Sequence, residues 1–113
     1  RAFHHGLAME ERNSSIDFSI VHPTSTETPM LEKEAASDEV PMAFMPESVT
    51  AEYVADVALD AMERRKLEVF MPPERGRAVR MLGTNPRRPL KYAAAAEEQG
   101  AKNLAARRAR KGT

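Results

Sequence analysis

The sequence contains no cysteine and no tryptophan among its 113 residues. The absence of cysteine excludes disulfide bonds, thiolate metal sites and cysteine nucleophiles. Because small secreted domains tend to be rich in disulfides, this composition predicts a cytoplasmic protein. Aromatic residues make up only 5% of the chain, so few large side chains can anchor a core.

Long apolar runs are also missing from the sequence. No stretch approaches the roughly 20 apolar residues that a membrane-spanning helix needs, so no membrane span is predicted. The pattern Gly-x-x-x-x-Gly-Lys-Ser/Thr does not occur, which excludes a P-loop in these residues. His4 and His5 are adjacent and would lie on different faces of a helix, so no metal site is predicted there.

The net charge is zero, but the two signs are separated along the chain. Residues 1–63 hold 3 basic and 13 acidic residues, whereas residues 64–113 hold 14 basic and 4 acidic residues. Such a basic segment is typical of arms that bind nucleic acid or an anionic surface, and it also fits a solvated helical tail. Tyr92 is the only aromatic residue after Phe70, which argues against base stacking and a nucleic-acid partner.

The first part of the chain has the pattern of a helix followed by a strand. An amphipathic helix is predicted over residues 1–12, and a turn over residues 13–15. Residues 16–21 then alternate between apolar and polar side chains, which predicts a strand. The strand ends before Pro23 because proline has no N–H to donate to a ladder.

Clearer helix signals come later in the sequence. Residues 29–48 have no clean period and are predicted to form a long loop. Thr50 is a suitable N-cap for an amphipathic helix over residues 50–66, with Met62 in its apolar stripe. Residues 67–71 follow as an apolar strand, and a helix, a tight turn and a strand in this order form one unit of a layered α/β fold.

The C-terminal part is predicted to be a basic tail distinct from the preceding residues 1–82. A short helix is predicted over residues 74–82, followed by a proline-containing break. Within residues 83–113, an Ala- and Arg-rich stretch from residue 91 to 111 has high helix propensity. Gly100 weakens this helix by about 1 kcal/mol, so the tail is expected to be helical or disordered and to lie outside the core.

Four segments carry a family resemblance. Residues 23–28 have the sequence Pro-Thr-Ser-Thr-Glu-Thr and follow the first predicted strand, and residues 1–10 form an Ala- and Leu-containing helix. Residues 46–57 begin Pro-Glu-Ser-Val, and residues 67–71 precede paired prolines. In this order they resemble the C-terminal half of the short-chain dehydrogenase/reductase (SDR) family, whose motifs include Pro-Gly-x-Val/Ile-x-Thr and Pro-Glu-x-Val-Ala. The resemblance covers about residues 1–80.

The resemblance implies an α/β fold, namely the C-terminal portion of a Rossmann-like doubly wound parallel sheet. It implies an oxidoreductase that transfers a hydride between the nicotinamide of NAD or NADP and a carbonyl or alcohol substrate. The family's Tyr-x-x-x-Lys motif and glycine-rich loop would lie upstream of Arg1, since a complete domain needs roughly twice this length. This chain is therefore expected to hold no catalytic residue and to be inactive alone, and the complete protein to be a homo-oligomer.

The same resemblance implies four cofactor-binding residues, Pro23, Thr24, Thr26 and Thr28. The backbone around Thr26 and the hydroxyl of Thr28 would contact the nicotinamide carboxamide, because a hydroxyl can both donate and accept. Thr24 and Thr26 stand where the family usually has glycine and Val or Ile. Taken by itself, Thr28 could also be an ordinary turn threonine.

The substrate loop of the resemblance corresponds to about residues 29–48. Met30, Met42, Phe44 and Met45 could line an apolar substrate pocket there, because methionine side chains adapt to varied ligands. Packing of the loop itself accounts for them equally well.

Other chemistry-bearing residues have simpler explanations. His22 could bind a ligand or carry a proton, or it could be a polar residue that ends a strand. Two acid pairs, Glu32 with Glu34 and Asp38 with Glu39, could serve hydrolysis, whereas a solvated loop also explains them.

A second function class is a non-enzymatic interaction module whose basic tail binds nucleic acid or an anionic surface. Binding through several arginines to phosphates would weaken steeply with added salt, which separates this hypothesis from the enzymatic one.

Overall fold

The computed structural model describes residues 1–112 and has a mixed α/β architecture with two small parallel sheets and a long C-terminal helix. In chain order the strands are β1 (Ile20–His22), β2 (Thr26–Glu27), β3 (Val49–Thr50) and β4 (Glu68–Phe70). The helices are α1 (Ala2–Glu10), α2 (Pro29–Ala35), α3 (Ala51–Glu63), α4 (Glu74–Thr84) and α5 (Arg88–Arg110), with a 3₁₀ helix at Pro41–Phe44.

Strands β1 and β4 form the first parallel sheet, with Ile20 opposite Glu68 and His22 opposite Phe70. Parallel strands need a long crossover connection, and α2 and α3 lie within it. The strand predicted over residues 16–21 is shorter than expected and starts at Ile20. The reason is that β4 has only three residues, so the described chain offers no strand to pair with residues 16–19.

Strands β2 and β3 form the second parallel sheet and bring together the two ends of the segment between them. Thr26 lies opposite Val49, and the Val49 N–H donates to the Ser25 carbonyl oxygen at 2.9 Å. The prediction of a loop over residues 29–48 was partly wrong, because this segment contains α2 and the 3₁₀ helix. The missed signal was Thr28 followed by Pro29, an N-cap residue before a first-turn proline.

Helix α3 confirms the prediction over residues 50–66, with ends that differ by one to three residues. The Thr50 hydroxyl accepts a hydrogen bond from the Tyr53 N–H at 3.2 Å, as an N-cap does. Ala61 is fully buried, but Met62 is 66% exposed. Met62 therefore does not belong to the buried stripe, contrary to prediction.

Helix α5 packs against the centre of the chain through its C-terminal half. Leu104 joins the hydrophobic cluster with Leu31, Ala35 and Phe44, so the expectation that this helix lies outside the core was wrong. Close approach is possible because Gly100 has no side chain: a Cβ there would lie 2.0 Å from the Pro41 carbonyl oxygen. The helix also starts earlier than predicted, at Arg88, because Pro89 fits the first turn.

We expect Gly100→Ala to destabilise the protein by about 1–3 kcal/mol, because the added methyl group would overpack against the Pro41 backbone. The matched control is Gly83→Ala in α4, where a Cβ meets no atom within 4 Å. That substitution should be neutral or should stabilise by up to about 1 kcal/mol, through helix propensity. Urea unfolding of both variants checks this, and equal stabilities would contradict the packing of α5.

Candidate functional site

The four residues predicted to bind the cofactor lie in sequence just beyond the C-terminal end of β1. Pro23 is exposed, whereas Thr24 is 6% exposed, and its hydroxyl has no hydrogen-bond partner within residues 1–112. The Thr26 hydroxyl donates to the Thr24 carbonyl oxygen at 3.0 Å. The Thr28 hydroxyl accepts from the Leu31 N–H at 3.3 Å and thereby caps α2.

The turn after β1 does not require glycine. Among the described residues, Arg65 is the only non-glycine residue with a positive φ angle. Thr24 therefore occupies backbone space that residues with a Cβ adopt readily. The departure from the family's glycine at this position is compatible with the observed backbone.

A cavity of about 370 Å³ lies where this segment meets the 3₁₀ helix and α5. Ser25 lines it between the predicted cofactor residues, and Phe44 and Met45 line it from the predicted substrate loop. Met30 and Met42 do not line this cavity, and they are 70% and 51% exposed. Half of the predicted substrate residues thus meet the segment predicted to hold the nicotinamide.

Hydrogen bonds to backbone carbonyls shape the wall of this cavity. Asn103 of α5 donates through Nδ2 to the Phe44 carbonyl oxygen at 2.9 Å and to that of Met45 at 3.1 Å. Ser25 donates through Oγ to the Ala43 carbonyl oxygen. Both side chains hold residues 43–45 in place, so the backbone of the wall is tied to α5 and to the residue that precedes β2.

Arg107 is the most strongly connected polar residue of the site. Its side chain is only 9% exposed, and its two terminal nitrogens donate to the Glu27 carboxylate at 2.6 and 2.7 Å. The same guanidinium donates to Glu32 at 2.6 Å, and Ser48 donates to Glu27 at 2.5 Å. Two-point contact between guanidinium and carboxylate fixes both orientation and distance.

This contact shifts the ionisation of the carboxylates. Hydrogen bonds from Arg107 and then from Ser48 lower the pKa of Glu27 to about 2. The pKa of Glu32 is lowered by Lys111 and Arg107, and the pKa of Arg107 is raised, mainly by Glu27. The network is therefore fully charged at neutral pH.

Asn103 and Arg107 were not predicted as site residues, because both lie in the segment predicted to be a separate tail. The available signal was the separation of charge between the two halves of the chain. Arg108 extends the same pattern, since it donates to the Ala35 carbonyl oxygen and to Asp38, both at 2.8 Å. An acidic half and a basic half can neutralise each other within one chain.

A second polar cluster surrounds Glu68 at the β1–β4 sheet. Glu68 accepts from the Arg1 guanidinium at 2.5 Å and lies 3.0 Å from His22 Nε2 and 3.2 Å from His5 Nε2. Arg1 is the main cause of the lowered pKa of Glu68. The His22 ring stacks on Phe70 with centroids 4.5 Å apart. No group of three or more His, Asp or Glu within residues 1–112 is arranged to hold a metal ion.

A scan against protein families, a search of curated proteins and a search of solved structures each found no match to this chain. None of the helices within residues 1–112 is both long and apolar enough to cross a membrane.

We expect Arg107→Met to lower the free energy of unfolding at pH 7 by about 1–3 kcal/mol, since it removes charged hydrogen bonds from a buried position. The pKa of Glu27 is depressed from 4.5 to about 2. Its contribution to stability is therefore complete above pH 4.5 and lost as the pH falls towards 2. The variant should lose most of this acid dependence, as measured by urea unfolding from pH 6 to about 2.5.

The control for this experiment is Arg110→Met. Arg110 lines the same cavity, but its guanidinium forms no ion pair with another described residue. This variant should keep the acid dependence of the wild type. If both variants keep it, Glu27 does not owe its low pKa to Arg107.

Proposed function

We propose that this chain is the nicotinamide-side, C-terminal part of an NAD(P)-dependent short-chain oxidoreductase. The substrate is a carbonyl or alcohol compound of apolar character, and the cofactor is NAD or NADP. One observation carries the proposal. The Pro23–Thr28 segment leaves the end of a parallel strand and borders a cavity that residues of the predicted substrate loop also line.

The β1–β4 pair supports the fold part of the proposal. A parallel pair joined by helical crossover is the unit from which a doubly wound sheet is built. Within the described chain each strand has one neighbour, so each has an edge at which further parallel strands of a complete domain could pair. Open sheets of this class bind ligands beyond the carboxyl ends of their strands, where Pro23 lies.

The cavity supports the substrate part of the proposal. Its volume of about 370 Å³ lies within the range of small-molecule sites, roughly 300–1,000 Å³. Phe44, Met45 and Pro46 supply apolar wall, whereas Glu47, Asn103, Arg107 and Arg110 make much of the remaining lining polar. Such a lining suits a molecule that carries an apolar part beside polar groups.

The residues after β1 are compatible with a nicotinamide carboxamide. The Thr28 oxygen accepts from the Leu31 N–H, which leaves its own O–H able to donate to the carboxamide oxygen. The Thr24 hydroxyl is buried without a partner within residues 1–112, which is costly unless a further group bonds to it. The Thr28 O–H is therefore able to donate to a ligand, and the Thr24 hydroxyl requires a partner that reaches its buried position.

The bound dinucleotide would accept or donate the hydride, and this chain would hold and orient its nicotinamide end. In the family that the chain resembles, a tyrosine acts as general acid or base, and a lysine lowers the pKa of that tyrosine. Those residues would belong to the complete protein, so this chain alone is expected to show no turnover. The complete protein would be a cytoplasmic homo-oligomer by the same resemblance.

The second candidate is a non-enzymatic module whose basic segment binds an anionic surface. The C-terminal end of α5 is not available for this, because Arg107, Arg108 and Lys111 contact carboxylates of the same chain. The cations between residues 75 and 91 form no such pairs with residues 1–112, and they keep this candidate open.

The decisive experiment is to determine the coding sequence upstream of Arg1 together with the intact mass of the natural product. The family pattern places Tyr-x-x-x-Lys upstream, with the lysine about four residues before Arg1. A tyrosine and lysine at that spacing would support the oxidoreductase. A natural product that starts at Arg1 would overturn it.

In the complete protein, Thr28→Val should raise the KM for the nicotinamide cofactor roughly tenfold, the effect of losing one hydrogen bond. Because Thr28 also caps α2, this variant should lose about 1 kcal/mol of stability. Thr28→Ser should retain both properties. Steady-state kinetics and thermal unfolding measure the two effects separately.

Thr50→Val is the matched control for Thr28→Val. Thr50 caps α3 in the same way, by accepting from the Tyr53 N–H, but it lies outside the Pro23–Thr28 segment that is proposed to contact the nicotinamide. Thr50→Val should lower the stability by a similar amount and leave the KM for the cofactor unchanged. Equal KM values in the two valine variants would count against a contact between Thr28 and the cofactor.

A further inference from the structure

The segment from α4 to the start of α5 carries a concentrated positive charge. Six cations lie within residues 74–92, against the single carboxylate of Glu74. They are Arg75, Arg77, Arg80, Arg87, Arg88 and Lys91. None of the six forms an ion pair with any of residues 1–112.

Most other basic residues differ in this respect, since among residues 1–112 only Arg12, Lys33 and Arg110 also lack an ion pair. Arg64 and Lys66 pair with Asp60, and Arg107 contacts Glu27 and Glu32. The acidic residues within residues 1–112 thus do not neutralise the cations of residues 75–91. Positive charge that no carboxylate within residues 1–112 neutralises is available to an external anion.

The same segment is exposed and partly apolar. Every residue from 80 to 95 is exposed. Leu90 and Tyr92 are 75% and 60% exposed, and Met81 is 52% exposed. Exposed hydrophobic side chains are unfavourable in water. Their place among unpaired cations on this surface therefore favours a partner that accepts both apolar and positively charged groups.

The contacts of α4 show which of its faces packs against the rest of the chain. Gly76 lies against Phe70, where a Cβ would be 2.8 Å from the Phe70 ring, and the Arg80 guanidinium lies 5.6 Å from the centroid of that ring. With about 100° between successive residues, Arg77 and Met81 lie together on the flank of α4 beside the face that contacts Phe70. Both residues are exposed, so one cation and one apolar side chain share this part of the surface.

The first turns of α5 also project beyond the packed part of the chain. The buried positions of this helix are Gly100, Leu104 and Arg107, and with 23 residues it is roughly 35 Å long. Residues 88–95 precede these contacts and are all exposed. Arg88, Leu90 and Lys91 are thus presented on a rigid helix without cover.

We propose that residues 74–92, the basic–apolar surface, dock on an anionic phospholipid bilayer. This proposal gives the second candidate function a segment and a partner, and it does not rest on the oxidoreductase assignment. Clusters of four to eight Lys and Arg on helices bind acidic headgroups, and Leu, Met and Tyr enter the boundary with the acyl chains. A nucleic acid fits less well, because Tyr92 is the segment's only aromatic residue.

The first test is sedimentation of the full chain with vesicles of phosphatidylcholine alone or with about 30% phosphatidylserine. Binding should require phosphatidylserine and weaken as salt rises from about 0.05 to 0.5 M. The triple variant Arg77→Gln/Arg88→Gln/Lys91→Gln should bind about 100-fold more weakly, since each basic residue near such a surface contributes roughly fivefold in affinity.

The control triple variant is Arg12→Gln/Lys33→Gln/Lys102→Gln, which removes the same net charge from exposed positions elsewhere. It should bind within a few-fold of the wild type. An equal loss in both triple variants would mean that net charge alone attracts the chain, and it would overturn the assignment of the surface.

The apolar part of the surface has its own test. Leu90→Ser/Tyr92→Ser should reduce vesicle binding at least tenfold, since both side chains would lose their place at the acyl boundary. Leu59→Ser/Met62→Ser is the matched control, because those residues of α3 are exposed to a similar degree, 56% and 66%. Its binding should not change.

In a last arm of the experiment, a nucleic-acid duplex of about 20 base pairs competes with the vesicles for the protein. Vesicle binding that depends on residues 77, 88, 90, 91 and 92 supports the proposal. Absence of vesicle binding at low salt overturns it. Binding to the duplex without vesicle binding overturns it as well and assigns the cations to a nucleic acid.

Discussion

The contact between Arg107 and the two carboxylates of Glu27 and Glu32 ties the C-terminal helix to the middle of the chain. Burying a guanidinium to this extent costs free energy unless carboxylates bond to it. Helix α5 is therefore most stable in the position where Arg107 reaches Glu27 and Glu32. Gly100 makes that position possible, because only a glycine lets the helix backbone approach the Pro41 carbonyl. The ion pairs of Arg107 and the close approach at Gly100 thus favour the same position of α5.

This docking explains several features at once. It buries Leu104 with Leu31 and Phe44, and it adds one wall to the cavity. It also gives the separated charges of the two halves an intramolecular role, since the acidic segment around α2 meets the basic end of α5. The cations between residues 75 and 91 are outside this arrangement, whereas most of the other basic residues within residues 64–112 pair with a carboxylate. Charge in this chain therefore has two different uses.

The candidate site was predictable in part. Phe44 and Met45 reach the cavity beside Ser25, whereas Met30 and Met42 point elsewhere, because successive residues of a helical turn face different directions. Thr24, Thr26 and Thr28 form a connected segment whose hydrogen bonds are mostly local. Asn103 and Arg107 could not be assigned to the site from their own neighbourhood, since their partners lie more than fifty residues away in the chain.

The sequence by itself determined the local elements. Thr50 begins α3, prolines end β4, and the Ala- and Arg-rich stretch forms a helix, because caps, prolines and propensity act over a few residues. Only the tertiary structure decided the rest: the length of β1, the parallel pairing of β2 with β3, the burial of Arg107 and the cavity. Each of these depends on contacts between segments far apart in the chain, and such contacts are specified by geometry that no local pattern contains.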